Sequence, residues 1–473
     1  MTKNFFTIAL IVVLSIVFRV FYLNETGLWM DEIHSAIGAN PAKSTAEVVA
    51  YCKQDQPPLY FLLLHKWYKI FGYNDFVGRI LGVITGILGI IGIYFLGVEF
   101  KNQRVGLFAS FLTSINYFHI DYSRQVRFYP MVFFLSSISY LFFLRSLKNR
   151  KPEDFILYAI STAALLNTHY FGMVVFVSQF AIFVFVIFVN RNYDLRFIVW
   201  SLASATVAGL SFLHWIPVVL SDLQIPSYHL PQVQWYFPFQ YYYVYFRDPV
   251  TCIVCGLLSL LAILEITKTK TRPLKLEYIV LVNWILLSFL IPILYSLFKM
   301  PMLEYKYTFI VVPAFFVLAA IGFDSDFFTQ VKQKTATVVR LSLIASLIVL
   351  FASNSLLFNK LYFDRHPWQS WREVSQLVLK NDSEDQVALS NFTWYFRYYF
   401  NMYDSKSTIV EPRYLELEKL EDASSIWVIT STLFPDFGLE QDQQRLISER
   451  FVLNREEMFE DLKVKEVVRK WRL

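Results

Sequence analysis

Apolar stretches long enough to cross a bilayer, many of them flanked by basic residues, recur near 5–23, 78–99, 105–121, 128–145, 155–170, 172–190, 197–220, 249–267, 277–298, 306–323 and 339–358. A transmembrane helix needs about 20 such residues, and a helix closes all of its backbone hydrogen bonds inside lipid. Eleven transmembrane helices are therefore predicted. The first stretch runs into Arg19 and Phe21 with no small-residue cleavage site, so it reads as a retained helix rather than a leader peptide. The residue balance agrees: 56% of the 473 residues are hydrophobic and 17% are charged, against about 25% charged in ordinary soluble domains. Single soluble cores stop growing at about 250 to 300 residues, so a chain of this length has no soluble interior large enough to absorb the deficit.

One further apolar segment sets the orientation. In PPLYFLLLHKWYKIFG (57–72) the uninterrupted run ends at His65, before Lys66, Trp67, Tyr68 and Lys69. It is too short and too amphipathic to span, and is predicted to lie flat at the membrane surface. The positive-inside rule then puts residue 1 and the dense basic loops 145–151 and 268–275 in the cytosol. LNETGLWMDEIHS, HIDYSRQVR, NTHY, 221–248 and KMPMLEYK face outward, as does everything after residue 358. Residues 359–473 differ in kind, holding 20 of the 38 acids and 16 of the 43 bases. Helical and strand patterns alternate there, in WREVSQLVLK, QVALSNF, TWYFRYYFNMY, SIWVIT and GLEQDQQRLISERF. The expected organisation is a membrane domain at 1–358 and a small soluble α/β domain at 359–473, on the extracytoplasmic side.

The formal charge of +5 comes from short loops rather than a basic face, which removes nucleic acid from the partners. Gly78, Gly82, Gly86, Gly89, Gly92 and Gly97 fall in one span at steps of three to five and predict a close packing face. Cys252 and Cys255 form a single CxxC with no second pair and no nearby His, and carry no metal or redox role in this reading.

The polar residues that remain cluster in the outward turns. Asp31 and Glu32, in LWMDEIHSA, are adjacent carboxylates at a membrane surface, where mutual repulsion and nearby lipid make them costly. They fit a helix N-terminal charge pair or a general base in a cleft facing lipid. Asp55, ahead of Pro57 and Pro58, fits a helix cap or a second acid of the same loop. Asp121 ends the third span, with His119 before it and Arg124 and Arg127 after it. His169 and Tyr170 lie in the short turn NTHYFG, and Lys306 opens the tenth span; each alone reads as packing or interface anchoring. WYFPFQYYYVYF (235–246) is an aromatic belt, or a surface that stacks on a sugar or holds a prenyl tail.

Taken in order, LWMDEIHSA, QPPLYFLLLHKWYKIFG with FVGRILGVITG, YFHIDYSRQVRFYP, LLNTHYFGMVVFVSQ, SFLHWIPVVL and EYKYTFIVVPAFFVLAAIGF resemble the successive landmarks of the GT-C membrane glycosyltransferases. The nearest kind is the bacterial branch similar to protein O-mannosyltransferases and lipid A aminoarabinose transferases, and the resemblance covers about residues 5–323. It implies a polytopic helical GT-C fold with amphipathic juxtamembrane helices in the first outer loop. It also implies a multi-pass cell-membrane enzyme that moves a sugar from a polyprenyl-phosphate donor to a lipid, glycan or protein acceptor on the outer face.

By motif match Asp31 falls on the first-loop catalytic acid, Glu32 on its usual neighbour, Asp55 near the second acidic position, and Lys306 near the basic member of a basic-aromatic pair. Two positions depart from the family pattern. In SRQVRFY, Gln125 replaces a carboxylate, so an acid from that loop would have to be Asp121, and His214 stands where proline before tryptophan is common. The chemistry suits these residues. A departing polyprenyl phosphate calls for cations and donors, here His65, His119, Arg124, Arg127, His169, Tyr170 and Lys306. The acceptor hydroxyl calls for a base, Asp31, and in-line attack inverts the anomeric centre. No organic cofactor is expected; Asp31 and Asp121 are the carboxylates that would hold a divalent cation such as Mg or Mn.

Two other classes compete with this reading. A transporter or flippase of lipid-linked glycans would carry charges in the middle of its spans, whereas most acids here lie at span ends. A structural or assembly protein would leave Asp31, Asp55 and Asp121 without a common role.

Overall fold

The computed structural model describes residues 2–53, 56–189, 195–222, 230–268, 275–325, 333–353, 370–412, 423–431, 441–459 and 462–469, so that Asp55 lies outside the described residues. In chain order the helices are α1 (Thr2–Val20), α2 (Met30–Gly38), α3 (Thr45–Cys52), α4 (Leu59–Phe71), α5 (Asp75–Phe100), α6 (Gln103–Ile115), α7 (Tyr117–Ser123), α8 (Tyr129–Asn149), α9 (Pro152–Leu166), α10 (Gly172–Val189) and α11 (Leu195–Phe212). They continue as α12 (Ile216–Asp222), α13 (Phe237–Phe246), α14 (Pro249–Lys268), α15 (Leu276–Phe298), α16 (Val312–Phe323), α17 (Gln333–Ser353), α18 (Trp371–Val378), α19 (Thr393–Met402) and α20 (Gln441–Arg450). The chain divides into two compact units.

The first unit comprises Met1–Phe21, Ala42–Lys66 and Arg79–Phe358. Among the described residues five helices are long and apolar enough to cross a membrane: Asp75–Phe100, Tyr129–Asn149, Leu195–Asp222, Pro249–Thr267 and Leu276–Phe298. Shorter apolar helices occupy Asn4–Val20, Gly172–Phe188, Tyr307–Phe323 and Thr335–Leu350. The stretch expected as one span at 105–121 is instead two helices. Asn116 between them is extended (φ −73°, ψ 121°), and its side-chain oxygen accepts the His119 N–H at 2.9 Å, starting α7 afresh. Its amide nitrogen donates to the Tyr245 carbonyl at 2.7 Å, which fixes the break to α13.

In this unit α8 packs along α9, α14 along α16, α9 along α11, and α6 along both α16 and α1. The glycine face expected on α5 is a real contact. A Cβ on Gly82 would stand 2.6 Å from the Gln125 carbonyl oxygen, one on Gly89 2.9 Å from Phe133 Cδ1, and one on Gly97 2.8 Å from Gly106 Cα. Backbone-to-backbone approach of this kind is what small residues permit. The two ends of the loops predicted to face the cytosol are tied by ion pairs: Lys101 with Glu265 at 2.8 Å, and Lys148 with Glu99 at 2.8 Å and Glu277 at 3.2 Å.

The second unit comprises Tyr22–Pro41, Trp67–Gly78 and Asn359–Leu473. Its centre is a five-stranded sheet of β1 (Gln386–Ser390), β2 (Thr408–Val410), β3 (Ser425–Ser431), β4 (Phe451–Phe459) and β5 (Leu462–Arg469), in the order β2-β1-β3-β5-β4. β1 pairs in parallel with β2 and β3, with Ala388 opposite Ile409 and Trp427; β5 is antiparallel to β3 and β4. Every residue of β1 is buried, as a strand sandwiched between layers should be. Val387, Leu389, Ile426, Val428, Ile447, Phe451 and Val467 form the core. The elements expected in WREVSQLVLK, QVALSNF, TWYFRYYFNMY, SIWVIT and GLEQDQQRLISERF are found as α18, β1, α19, β3 and α20, whereas β2, β4 and β5 were not expected from the sequence.

Candidate active site

The two adjacent carboxylates have different fates. Both lie in the first turn of α2, where the N-terminal dipole favours negative charge. Glu32 is fully buried, and its Oε2 accepts the Trp29 N–H at 3.3 Å, the reciprocal half of a capping box. Asp31 is only partly buried. The charge-pair reading therefore accounts for Glu32, and Asp31 is left as the carboxylate with access to solvent. Beside it stands α19 of the same unit. Burial first, and the Asp31 carboxylate second, push the Tyr395 hydroxyl up, and the His34 ring lies 5.5 Å from Trp394.

In the first unit, three of the expected cations and donors gather on one chain of rings. Arg127, buried, lies over Phe128 with 4.5 Å to the ring centroid and 5.7 Å from Tyr129. Phe128 is 5.1 Å from the His169 ring, His169 is 5.7 Å from Tyr307, and Lys306 Nζ is 5.8 Å from that same Tyr307 ring. Phe171 N–H donates to His169 Nδ1 at 3.1 Å, which leaves the proton of the neutral imidazole on Nε2. Lys306 Nζ pairs with Glu304 at 3.4 Å. The start of α4 belongs to the same group: Leu59 N–H donates to the Asn167 carbonyl at 2.9 Å, and Tyr60 meets Phe128 edge-on at 6.0 Å. His65 lies on the buried face of α4 with Tyr60, Phe61 and Leu64.

Other expected residues are engaged by the fold itself. Arg124 Nη1 donates to the carbonyls of Arg19 (3.1 Å) and Phe21, capping the C-terminal end of α1. His119 is fully buried; its Nδ1 is 2.8 Å from Arg19 Nη2, whose guanidinium also donates to the Thr113 and Ser114 carbonyls. Tyr170 donates to Asp222 Oδ2 at 2.8 Å and accepts from Trp215 Nε1 at 3.3 Å, tying its turn to the end of α12. Of the four basic and imidazole groups expected here, His119 and Arg124 are thus hydrogen-bonded to α1, while Arg127 and His169 lie on the chain of rings. Asp121 is the partly exposed residue of α7, between buried Ile120 and Tyr122.

The sequence reading passed over Phe128 and Tyr307, the rings that join the cations. The cation-aromatic steps Arg127-Phe128 and Lys306-Tyr307 were the available signal. It also passed over Asp75, Tyr399 and Arg372, for which local sequence offers none. Among the described residues no three His, Cys, Asp or Glu side chains gather at metal-ligand spacing.

Residues 55–217 match the family described as dolichyl-phosphate-mannose-protein mannosyltransferase. Among solved structures, ArnT from Cupriavidus metallidurans in the apo state is similar with a TM-score of 0.59 at 9% identity, over 98% of this chain and 97% of that one. The same protein bound to undecaprenyl phosphate gives 0.59 at 10% identity, with the same coverage. The Archaeoglobus fulgidus oligosaccharyltransferase AglB, in complex with an inhibitory peptide and a dolichol-phosphate, gives 0.55 at 10% identity over 95% of this chain and 72% of that one. No curated protein sequence matches the chain. At these identities the structures establish a shared fold.

Proposed function

We propose that this chain, whose residues 55–217 match the dolichyl-phosphate-mannose-protein mannosyltransferase family and whose fold is similar to that of ArnT, is a GT-C-type glycosyltransferase that transfers a sugar from a polyprenyl-phosphate donor to a lipid, glycan or protein acceptor on the outer face of the cell membrane. The observation that carries this reading is the fit of 98% of the chain to the fold of ArnT, a protein also solved with undecaprenyl phosphate.

The chemistry follows from the residues. Asp31, the accessible carboxylate of the first turn of α2, takes the proton of the acceptor hydroxyl. The oxygen attacks the anomeric carbon in line, the bond from that carbon to the phosphate oxygen breaks, and the electron pair leaves with the polyprenyl phosphate. The sugar is thereby inverted. Phosphate is a good leaving group once its charge is met, so it needs cations and donors rather than an acid. Arg127 and Lys306 supply the charge and His169 Nε2–H a hydrogen bond, which agrees with their gathering around Phe128 and Tyr307. A base in such a reaction contributes about 10²- to 10⁴-fold. Asp121 and Asp55 are the further catalytic acids in this reading.

The test is agnostic to the sugar. Cells lacking the gene should accumulate one polyprenyl-phosphate sugar, seen by mass spectrometry of the lipid extract, and lose one glycan modification of the envelope. An unchanged lipid pool would overturn the reading. Accumulation on the cytosolic leaflet alone would make the protein a flippase.

A further inference from the structure

The loop that leads into α2 is gripped by the C-terminal part of its own unit. Leu28 N–H donates to the Tyr399 hydroxyl at 2.6 Å, and that hydroxyl donates to Asp75 Oδ2 at 3.1 Å. Tyr398 donates to the other oxygen of Asp75 at 3.0 Å. Arg372 donates to the carbonyls of Asn24 (3.0 Å) and Glu25 (2.5 Å), with its Nη1 3.7 Å from Asp75 Oδ2. Asp75 is 3% exposed, and Tyr399 not at all.

A buried carboxylate is costly unless it is hydrogen-bonded and paired, and this one is satisfied by three side chains that come from more than 290 residues away along the chain. The loop fits against them with no slack. A Cβ on Gly27 would stand 2.7 Å from Arg372 Cβ and 3.0 Å from the Tyr399 hydroxyl. Three residues after Leu28 comes Asp31. The far end of α2 is held as well, because Tyr73 donates to the Ala36 carbonyl at 3.1 Å and packs edge-on against Tyr398 at 5.6 Å. One buried acid therefore organises both the approach to α2 and, through Tyr398 and Tyr73, its end.

We infer that Asp75, Tyr399 and Arg372 are positioning residues for Asp31: they fix the N-terminus of α2, and with it the direction of the catalytic carboxylate. The inference rests on Asp31 being the base. It gives the C-terminal part of this unit a role in catalysis that is exerted through the backbone of residues 24–28. Displacing a reacting group by about 1 Å costs on the order of 10²-fold, so a small relaxation of this loop has a large effect on rate.

The test uses the full-length protein, the accumulated polyprenyl-phosphate sugar as donor, and membranes of the deletion strain as acceptor. Tyr399→Phe removes only the hydroxyl. We expect kcat to fall about 10- to 100-fold with the donor KM within twofold, and hydrogen exchange at residues 24–35 to rise. Gly27→Ala, whose Cβ would press against Arg372 and the Tyr399 hydroxyl, should give the same split between kcat and KM. The decisive comparison is the double variant. If Tyr399 acts through Asp31, then Asp31→Asn/Tyr399→Phe is no slower than Asp31→Asn alone. Losses that multiply would assign Tyr399 a general structural role and overturn the inference, as would a wild-type kcat in Tyr399→Phe. Should Asp31→Asn itself turn over normally, the base assignment fails, and the positioning role with it.

Discussion

Asp31 and Glu32 stand side by side in the chain and end in opposite environments, and the difference between them is a matter of helix geometry. At the third position of α2, Glu32 can reach back to the Trp29 N–H, and in doing so becomes fully buried. Asp31 is one side-chain carbon too short and one position too early for that contact. Glu32→Gln keeps a capping side chain and should retain most of kcat. Glu32→Ala should lower stability by about 1 kcal/mol, read as a lower melting temperature in detergent with the same kcat per folded molecule. At Lys306 the prediction concerns the donor. Removing one charge-assisted contact to phosphate costs about 1.5 to 3 kcal/mol, so Lys306→Ala should raise the donor KM about tenfold or more, whereas Glu304→Gln, which frees Lys306 from its ion pair, should not raise it.

Between elements, the contacts that matter are close approaches of backbone. The stripe of glycines on α5 was legible because small residues at helical spacing have one use in a membrane bundle, and Gly82 lies against the turn that leads from Gln125 to Arg127. Gly82→Ala puts a methyl group 2.6 Å from the Gln125 carbonyl oxygen, a strain on the order of 1 to 3 kcal/mol. It should lower the melting temperature and raise the donor KM together. In the sheet domain, Asp382 organises the connection into β2. Although desolvation opposes it, the hydrogen bonds from Ser407, Lys406 and Ser405 hold its carboxyl below the usual carboxylate range. Because the folded value is depressed, its stabilisation is present above the unfolded value of about 3.9 and is lost as pH falls through the folded one. Protection of the 405–410 amides, corrected for intrinsic exchange, should decline over that acid range in the wild type. In Asp382→Asn it should be lower at neutral pH and flat.

Across the whole molecule, the sequence made periodic features visible and hid relations between distant segments. The helix within 57–72 and the elements in WREVSQLVLK, QVALSNF, TWYFRYYFNMY and SIWVIT follow from local spacing and are found as α4, α18, β1, α19 and β3, while of the eleven expected spans five helices among the described residues are long and apolar enough to cross a membrane. The split of the 105–121 stretch at Asn116 was missed because a single polar residue within an apolar run is tolerated in a span, and only its bonds to His119 and Tyr245 reveal a break. Asp75, Arg372 and Tyr399 were invisible for a stronger reason: nothing in DFVG or WREV marks a pairing some 300 residues apart. The orientation of the molecule makes its own prediction. In a background with Cys52, Cys252 and Cys255 changed to Ser, Ala46→Cys should react with a membrane-impermeant maleimide on intact cells, and Asn149→Cys only after permeabilisation.

The most direct measurement complements the deletion strain with the wild type or with Asp31→Asn, and follows both the lipid-linked sugar pool and binding of undecaprenyl phosphate to the purified proteins. The wild type should clear the accumulated donor while Asp31→Asn, equally abundant in the membrane and equally able to bind undecaprenyl phosphate, leaves it in place, with transfer slowed at least about 100-fold. Clearance of the donor by Asp31→Asn at the wild-type rate would contradict the role of Asp31 as the base.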